Sequence, residues 1–281
     1  MEQASSRPAY HADDRWYPAS ATALRRAVQS YIEQAAAQEL GGEVVGLVCP
    51  HAGYFFSGHV AGAAYRQVSG GTYDTVVLIG PDHTGVALGE LALPDYAAWH
   101  TPLGDVAVDG ELAAALEQRV RLRRLRRERE HSLEVQLPFL QVALADFKLL
   151  PLMMGDQTPA TCRQVGQCVA ELVRDRKVLL VASTDLSHFQ PDHLARQTDA
   201  HTLSYALDFD PQGLAEALER GEAQACGGGP VAAVMFAARQ LGAARVHQVK
   251  YATSADVWDD RSRVVGYAAL ALTKPRDGQI R

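Results

Sequence analysis

Thr75-Val76-Val77-Leu78-Ile79-Gly80-Pro81-Asp82-His83 is the stretch whose reading decides the fold class. Residues 75–79 form a short continuous apolar run, and Gly80-Pro81 breaks it just before a histidine. A run that is apolar at every position, not every second one, suits a strand buried on both faces of a sheet. The same pattern occurs at residues 44–48, which run into Cys49-Pro50-His51, and at 177–182, which run into Ser183-Thr184-Asp185-Leu186-Ser187-His188. A further strand-like run covers 147–153, and two β-rich segments, 246–251 and 263–272, close the chain. Helical patterns lie between them. Ser20 is a predicted N-cap for apolar positions Leu24, Val28, Tyr31, Ile32 and Ala35, and Gly41-Gly42 ends that segment. Helices are also expected over 58–67, 111–118, 131–145 (interrupted near its start by Pro138), 159–173 and 231–241. Strands alternating with helices predict an α/β fold of three layers, with a central mostly parallel or mixed sheet covered by helices on both faces. No repeat, linker or low-complexity segment divides residues 1–281, so one domain is expected.

Composition excludes several function classes. The chain of 281 residues is 47% hydrophobic and 21% charged, too apolar for a disordered segment. Its net charge of −6 makes a general nucleic-acid binder a poor expectation. Seven arginines crowd residues 119–129, but Val120, Leu122 and Leu125 interleave with them, and Glu128, Glu130 and Glu134 accompany them. A solvated edge strand or surface hairpin is the reading adopted here. There is no membrane-spanning apolar run, and the polar stretch 1–14 lacks the features of a secretory leader. Four cysteines make no disulfide framework, so a cytoplasmic location is expected.

The chemistry converges by position. His51, His83 and His188 each follow the carboxyl end of a predicted inner strand, where open α/β sheets bind ligands. Cys226 precedes Gly227-Gly228-Gly229-Pro230, and Pro230 suits the first position of a helix. A thiol at a helix N-terminus is expected to ionise more readily, as a metal ligand requires. Cys162 and Cys168 read as helix-core residues, and Cys49 as a strand end facing either the core or the cleft. The glycine run lacks the Lys and Ser or Thr of a P-loop. In Glu130-His131-Ser132-Leu133-Glu134, His131 and Glu134 share a helix face. His131 is a candidate for the cleft, and Glu134 a candidate to orient a histidine. No second histidine completes a zinc-protease motif.

Together these residues carry a resemblance. Pro50-His51-Ala52-Gly53-Tyr54, Gly80-Pro81-Asp82-His83, Glu130-His131-Ser132-Leu133-Glu134, Ser183-Thr184-Asp185-Leu186-Ser187-His188 and Cys226-Gly227 occur in the order seen in the Memo family. His11, Trp16-Tyr17-Pro18-Ala19-Ser20 and Val265-Gly266-Tyr267-Ala268-Ala269 also match, so that the resemblance spans about residues 7–273. Bacterial members are often labelled AmmeMemoRadiSam system protein B. The resemblance implies a fold like that of the class III (LigB-type) extradiol dioxygenases, non-haem Fe(II) enzymes that open catechol rings. It implies metal ligands at His51, His83 and Cys226, and an acid/base histidine at His188, preceded by Asp185; Asp185 is in turn expected to hold the imidazole, and His131 stays a catalytic candidate. The dioxygenases use a carboxylate where this chain has Cys226. Two histidines and a carboxylate suit Fe(II), whereas a thiolate also suits Cu(I) or Zn and is itself oxidisable. Phe55-Phe56 and Thr84 stand where more polar residues are expected, and predict an apolar cleft wall.

The leading expectation is an Fe(II)-dependent dioxygenase acting on a catechol-like aromatic and O2, with Trp16, Tyr54 and Phe56 stacking on the ring and Glu134 beside it. Two other readings stay open. Some Memo relatives are described as signalling adaptors or redox factors, which would make the chain a metal-binding interaction protein. A zinc hydrolase would use His188 or Glu134 as base. A homo-oligomer is compatible with the sequence.

Overall fold

The structure is a computed structural model that describes residues 6–275; the first five residues of the polar stretch 1–14, and residues 276–281 at the other end of the expected domain, lie outside it. Its strands are β1 (Ser6–Arg7), β2 (Gly42–Cys49), β3 (Thr75–Pro81), β4 (Leu91–Pro94), β5 (Ala98–Thr101), β6 (Gly104–Ala107), β7 (Leu122–Leu125), β8 (Lys148–Met154), β9 (Val178–Ser183), β10 (His188–Gln190), β11 (Arg245–Thr253) and β12 (Val264–Pro275). The helices are α1 (Ala21–Glu33), α2 (Tyr54–Arg66), α3 (Gly110–Glu117), α4 (His131–Glu134), α5 (Leu137–Ala143), α6 (Pro159–Val173), α7 (Asp192–Leu207), α8 (Pro211–Glu219) and α9 (Gly228–Gln240).

A nine-stranded sheet runs β10-β12-β2-β9-β3-β8-β4-β7, with β11 also paired to β12. The four inner strands β2, β9, β3 and β8 are parallel, whereas β12 and β4 join them antiparallel, so the sheet is mixed. Every residue of β3 is buried, as its unbroken apolar run requires. Its side chains alternate between two cores. Val76 and Leu78 pack on one face with Leu24 and Val28 of α1, Val60 of α2 and Leu140 of α5. Val77 and Ile79 pack on the other face with Leu112 of α3, Val165 and Val169 of α6 and Val234 of α9. Helices therefore cover both faces and leave the strand ends free to carry chemistry.

The structure departs from the sequence expectations in local ways. The helix expected over 131–145 is two short helices, because Pro138 lacks the N–H that a continuous helix needs and instead opens the first turn of α5. The arginine-rich stretch contributes the edge strand β7, and its arginines meet acids: Arg124 pairs with Asp95 and Glu117, and Arg121 with Glu90. Glu128 departs from that solvated setting and is buried. Strands β1, β5 and β6 form a separate three-stranded sheet that was not anticipated. Among the described residues, no helix is long and apolar enough to cross a membrane.

Candidate metal centre

Because β2, β9 and β3 are adjacent and parallel, their carboxyl ends lie side by side, and the loops after them deliver His51, Asp185 and His83 to one place. Cys226 enters from the loop before α9. Its backbone N–H donates to the Asp185 carbonyl at 3.1 Å, and the Asp185 N–H donates to the Cys226 sulfur at 3.2 Å. This interlock needs Gly227, where a Cβ would meet the Ser183 carbonyl oxygen at 2.2 Å. Ligand atoms of His51, His83 and Cys226 all lie within 4.8 Å of one another. His83, Glu130 and His131 form a second such group.

The surrounding hydrogen bonds fix which ring nitrogens are free. Ser183 Oγ donates its proton to the Ser132 carbonyl at 2.6 Å and receives the Gln136 side-chain N–H at 2.8 Å. It can therefore only accept from His51 Nδ1, 2.9 Å away, so Nδ1 carries the proton and Nε2 presents its lone pair. That Nε2 lies 3.1 Å from Cys226 Sγ. His83 Nδ1 donates to Glu130 Oε1 at 3.0 Å, and the His83 backbone N–H donates to Glu130 Oε2 at 2.7 Å. His83 Nε2 is left as an acceptor too. Two imidazole lone pairs and a thiol thus converge, each held by a buried partner, an arrangement that fits a metal ion.

The charges agree with this arrangement. Burial pushes His51 down to about 3, helped by the neighbouring His83, so the ring is neutral. Burial opposes protonation of His83 as well, but the hydrogen bond and charge of Glu130 outweigh it and the net direction is upward. Burial is the largest influence on His131 and lowers it, with His51 adding to the effect. The Glu130 carboxyl pays its own burial penalty, yet His83, His131 and the Ser132 N–H hold it down to about 2. Cys226 corrects a sequence expectation. Burial, reinforced by the Asp185 charge, pushes its thiol up to about 12 and outweighs the adjacent helix N-terminus. The thiol of the ion-free protein therefore stays protonated against His51, and a metal cation would displace that proton. Pro230 likewise sits inside α9, which begins at Gly228.

His188 lies on β10 beside a register shift in its pairing with β12, and shares a cavity of ≈ 580 Å³ with Cys226, Asp156, Gln157 and Gln224. Its Nδ1 donates to the Leu186 carbonyl at 2.8 Å, leaving Nε2 as the acceptor. Asp185 does not hold the His188 ring by a hydrogen bond. It accepts the His51 backbone N–H at 2.8 Å, and burial raises its carboxyl to about 6. His131 stacks between the centre and the N-terminal segment, with ring centroids 4.7 Å from His83 and 4.2 Å from Trp16.

Two substrate-contact expectations, Tyr54 and Glu134, are corrected. Tyr54 is 5% exposed and spends its hydroxyl on the Val135 carbonyl, so it belongs to the core. Phe56 packs against that core, and the neighbouring Phe55 points to solvent at 58% exposure. Glu134 is fully buried in a structural network, accepting from Tyr17 Oη, the His11 N–H and Arg7 Nη1. The cavity beside Cys226 has a mixed polar and apolar lining that includes neither Phe55, Phe56 nor Thr84, so these residues do not form its wall. Sequence reasoning assigned no role to Glu130 or Ser183, although both stand within the quoted motifs. A carboxylate next to His131 and a hydroxyl at a strand end were the available signals.

A family model described as Memo-like protein matches residues 7–271. A MEMO1 family protein of Methanosarcina acetivorans is 43% identical, over 82% of this chain and 86% of the relative. One from Methanococcoides burtonii is 38% identical, over 92% of this chain and 97% of the relative. An uncharacterized protein of Escherichia coli K12, JW3007, aligns at a TM-score of 0.41 and 13% identity, covering 70% of this chain and 85% of that one. With the family match spanning all the residues that build the centre, the chain belongs to the Memo family.

Proposed function

We propose that the chain is an iron-dependent oxidoreductase of the extradiol type, in which His51, His83 and Cys226 hold Fe(II) and a catechol-like ring is opened with O2. The observation that carries this reading is the convergence of two imidazole lone pairs and one thiol beside a cavity that also holds an independent histidine base. When bound, iron would supply dioxygen activation and Lewis acidity toward the substrate hydroxyls. The chain's own residues do the rest. His188, fixed by the Leu186 carbonyl with Nε2 as acceptor, takes the proton of a substrate hydroxyl and later returns it. Gln157, Gln224 and Asp156 on the cavity wall offer polar partners to a diol, consistent with orientation by hydrogen bonds more than by an apolar slot. Trp16, tilted against His131, is the aromatic beside the histidine cluster.

The soft, oxidisable Cys226 supports a second reading, a metal-holding redox protein without ring-opening turnover. Anaerobic loading with Fe(II), followed by air and a panel of substituted catechols, separates the two. Oxygen uptake matched by a yellow ring-opened product is the expected outcome. Bound iron with no uptake across the panel would favour the redox reading.

A further inference from the structure

Next to the open cavity, with which it shares Leu186 and Ala225, lies a small void of ≈ 20 Å³. Its wall is formed by Val48 near the end of β2 and its partner Leu270 in the middle of β12, by α7 and α8 (Leu203, Ala206, Leu214), by α9 (Val231) and by the loop residues Thr184, Leu186 and Ala225. The volume suffices for one small molecule, since about 10–15 Å³ already admits a water. Water, however, needs two or more polar partners, and this wall does not offer them. Its two hydroxyls are engaged elsewhere. Thr184 Oγ1 donates to the Asp185 carbonyl at 2.8 Å and accepts the Gly227 N–H at 2.9 Å. Thr202 Oγ1 donates to the Thr198 carbonyl at 3.0 Å and accepts the Gln224 N–H at 3.0 Å. The remaining lining side chains are aliphatic, apart from a single glycine.

An apolar wall favours an apolar guest over water, and a volume of ≈ 20 Å³ limits that guest to about the size of a diatomic. Its position gives that property a purpose. Thr184 belongs to its wall and also lies 4.0 Å, through Oγ1, from Cys226 Sγ. Ala225 and Leu186 are the immediate neighbours of Cys226 and Asp185. A single side chain therefore separates the void from the candidate ligand sulfur.

We propose that this void is a docking site for dioxygen, a small apolar diatomic, held one residue away from the metal centre. Its purpose rests on the oxygenase reading above, whereas the binding itself does not. The test uses the full chain without added substrate. Methyl relaxation is measured by NMR under nitrogen and then under several atmospheres of O2. Paramagnetic relaxation at the methyls of Leu214 and Leu270, 2% and 1% exposed, should exceed that at Val60 and Leu137, fully buried in the opposite core, and Leu203 and Val231 should follow them. Ala206→Leu fills the void and should abolish the excess while the rest of the spectrum is retained. Leu203→Ala enlarges the void and should increase it, read at the other three residues. Equal relaxation in both cores, or an excess that survives Ala206→Leu, would overturn the proposal. Failure of the oxygenase reading would show separately, as absent O2 uptake in the catechol assay while the relaxation pattern persists.

Discussion

Glu130 governs the histidine pair. One carboxylate caps α4 through the Ser132 N–H, accepts the His83 backbone N–H and fixes the His83 ring. Its approach depends on Gly80, where a Cβ would lie 2.7 Å from Ser132 Oγ. Outer partners of metal-bound histidines are typically worth about 10–100-fold in affinity. Glu130→Gln should weaken metal binding by that order, measured by competition with a chromophoric chelator. Ser183→Ala removes the acceptor that sets the His51 tautomer and leaves buried donors unpaired, and should cost about 1–3 kcal/mol in denaturant unfolding. His188→Gln, by contrast, should retain metal and lose turnover. His51 also makes the metal-free protein sensitive to acid. Its folded value near 3 lies below the ordinary 6.5, so the unfolded chain binds the extra proton between those values. Its contribution to stability is therefore present above pH 6.5 and is lost as pH falls from there toward 3. Melting of metal-free His51→Asn should depend less on pH across that window than melting of the parent.

At the scale of elements, the N-terminal strand β1 anchors the centre from below. Arg7 is fully buried, pairs with Glu128 and Glu134, donates to the Glu130 carbonyl at 2.9 Å and lies over the Trp99 ring. Removing one partner of a buried ion network leaves uncompensated charge, typically at a cost of about 3–5 kcal/mol. Arg7→Met should lower stability by that order in urea unfolding and loosen the His83 environment through Glu130. None of this was legible in the sequence. A two-residue strand has no periodicity, and an arginine looks solvated until its partners, more than 120 residues away, are in place. The inner strands were legible because continuous β-branched runs ended by Gly-Pro or Cys-Pro have few other readings. The same runs located His51 and His83. Tyr54 and Glu134 were misread because spacing within a motif does not say which face of a short helix turns inward. The short strands β4 to β6 escaped for want of length, whereas the edge strand β7 falls within the arginine-rich stretch.

For the whole molecule, the sheet order turns distant sequence into one centre. Parallel β2, β9 and β3 must end on the same side, and the crossover that brings α9 beneath them delivers Cys226 to the gap between His51 and Asp185. The central claim is that these strand ends assemble a single metal site. Metal content of protein purified without a polyhistidine tag tests it most directly, compared among the parent, His51→Ala, His83→Ala and Cys226→Ala, with folding checked by circular dichroism. The expected result is metal bound by the parent and largely lost from each folded variant. Full metal occupancy in all three variants would contradict the assignment.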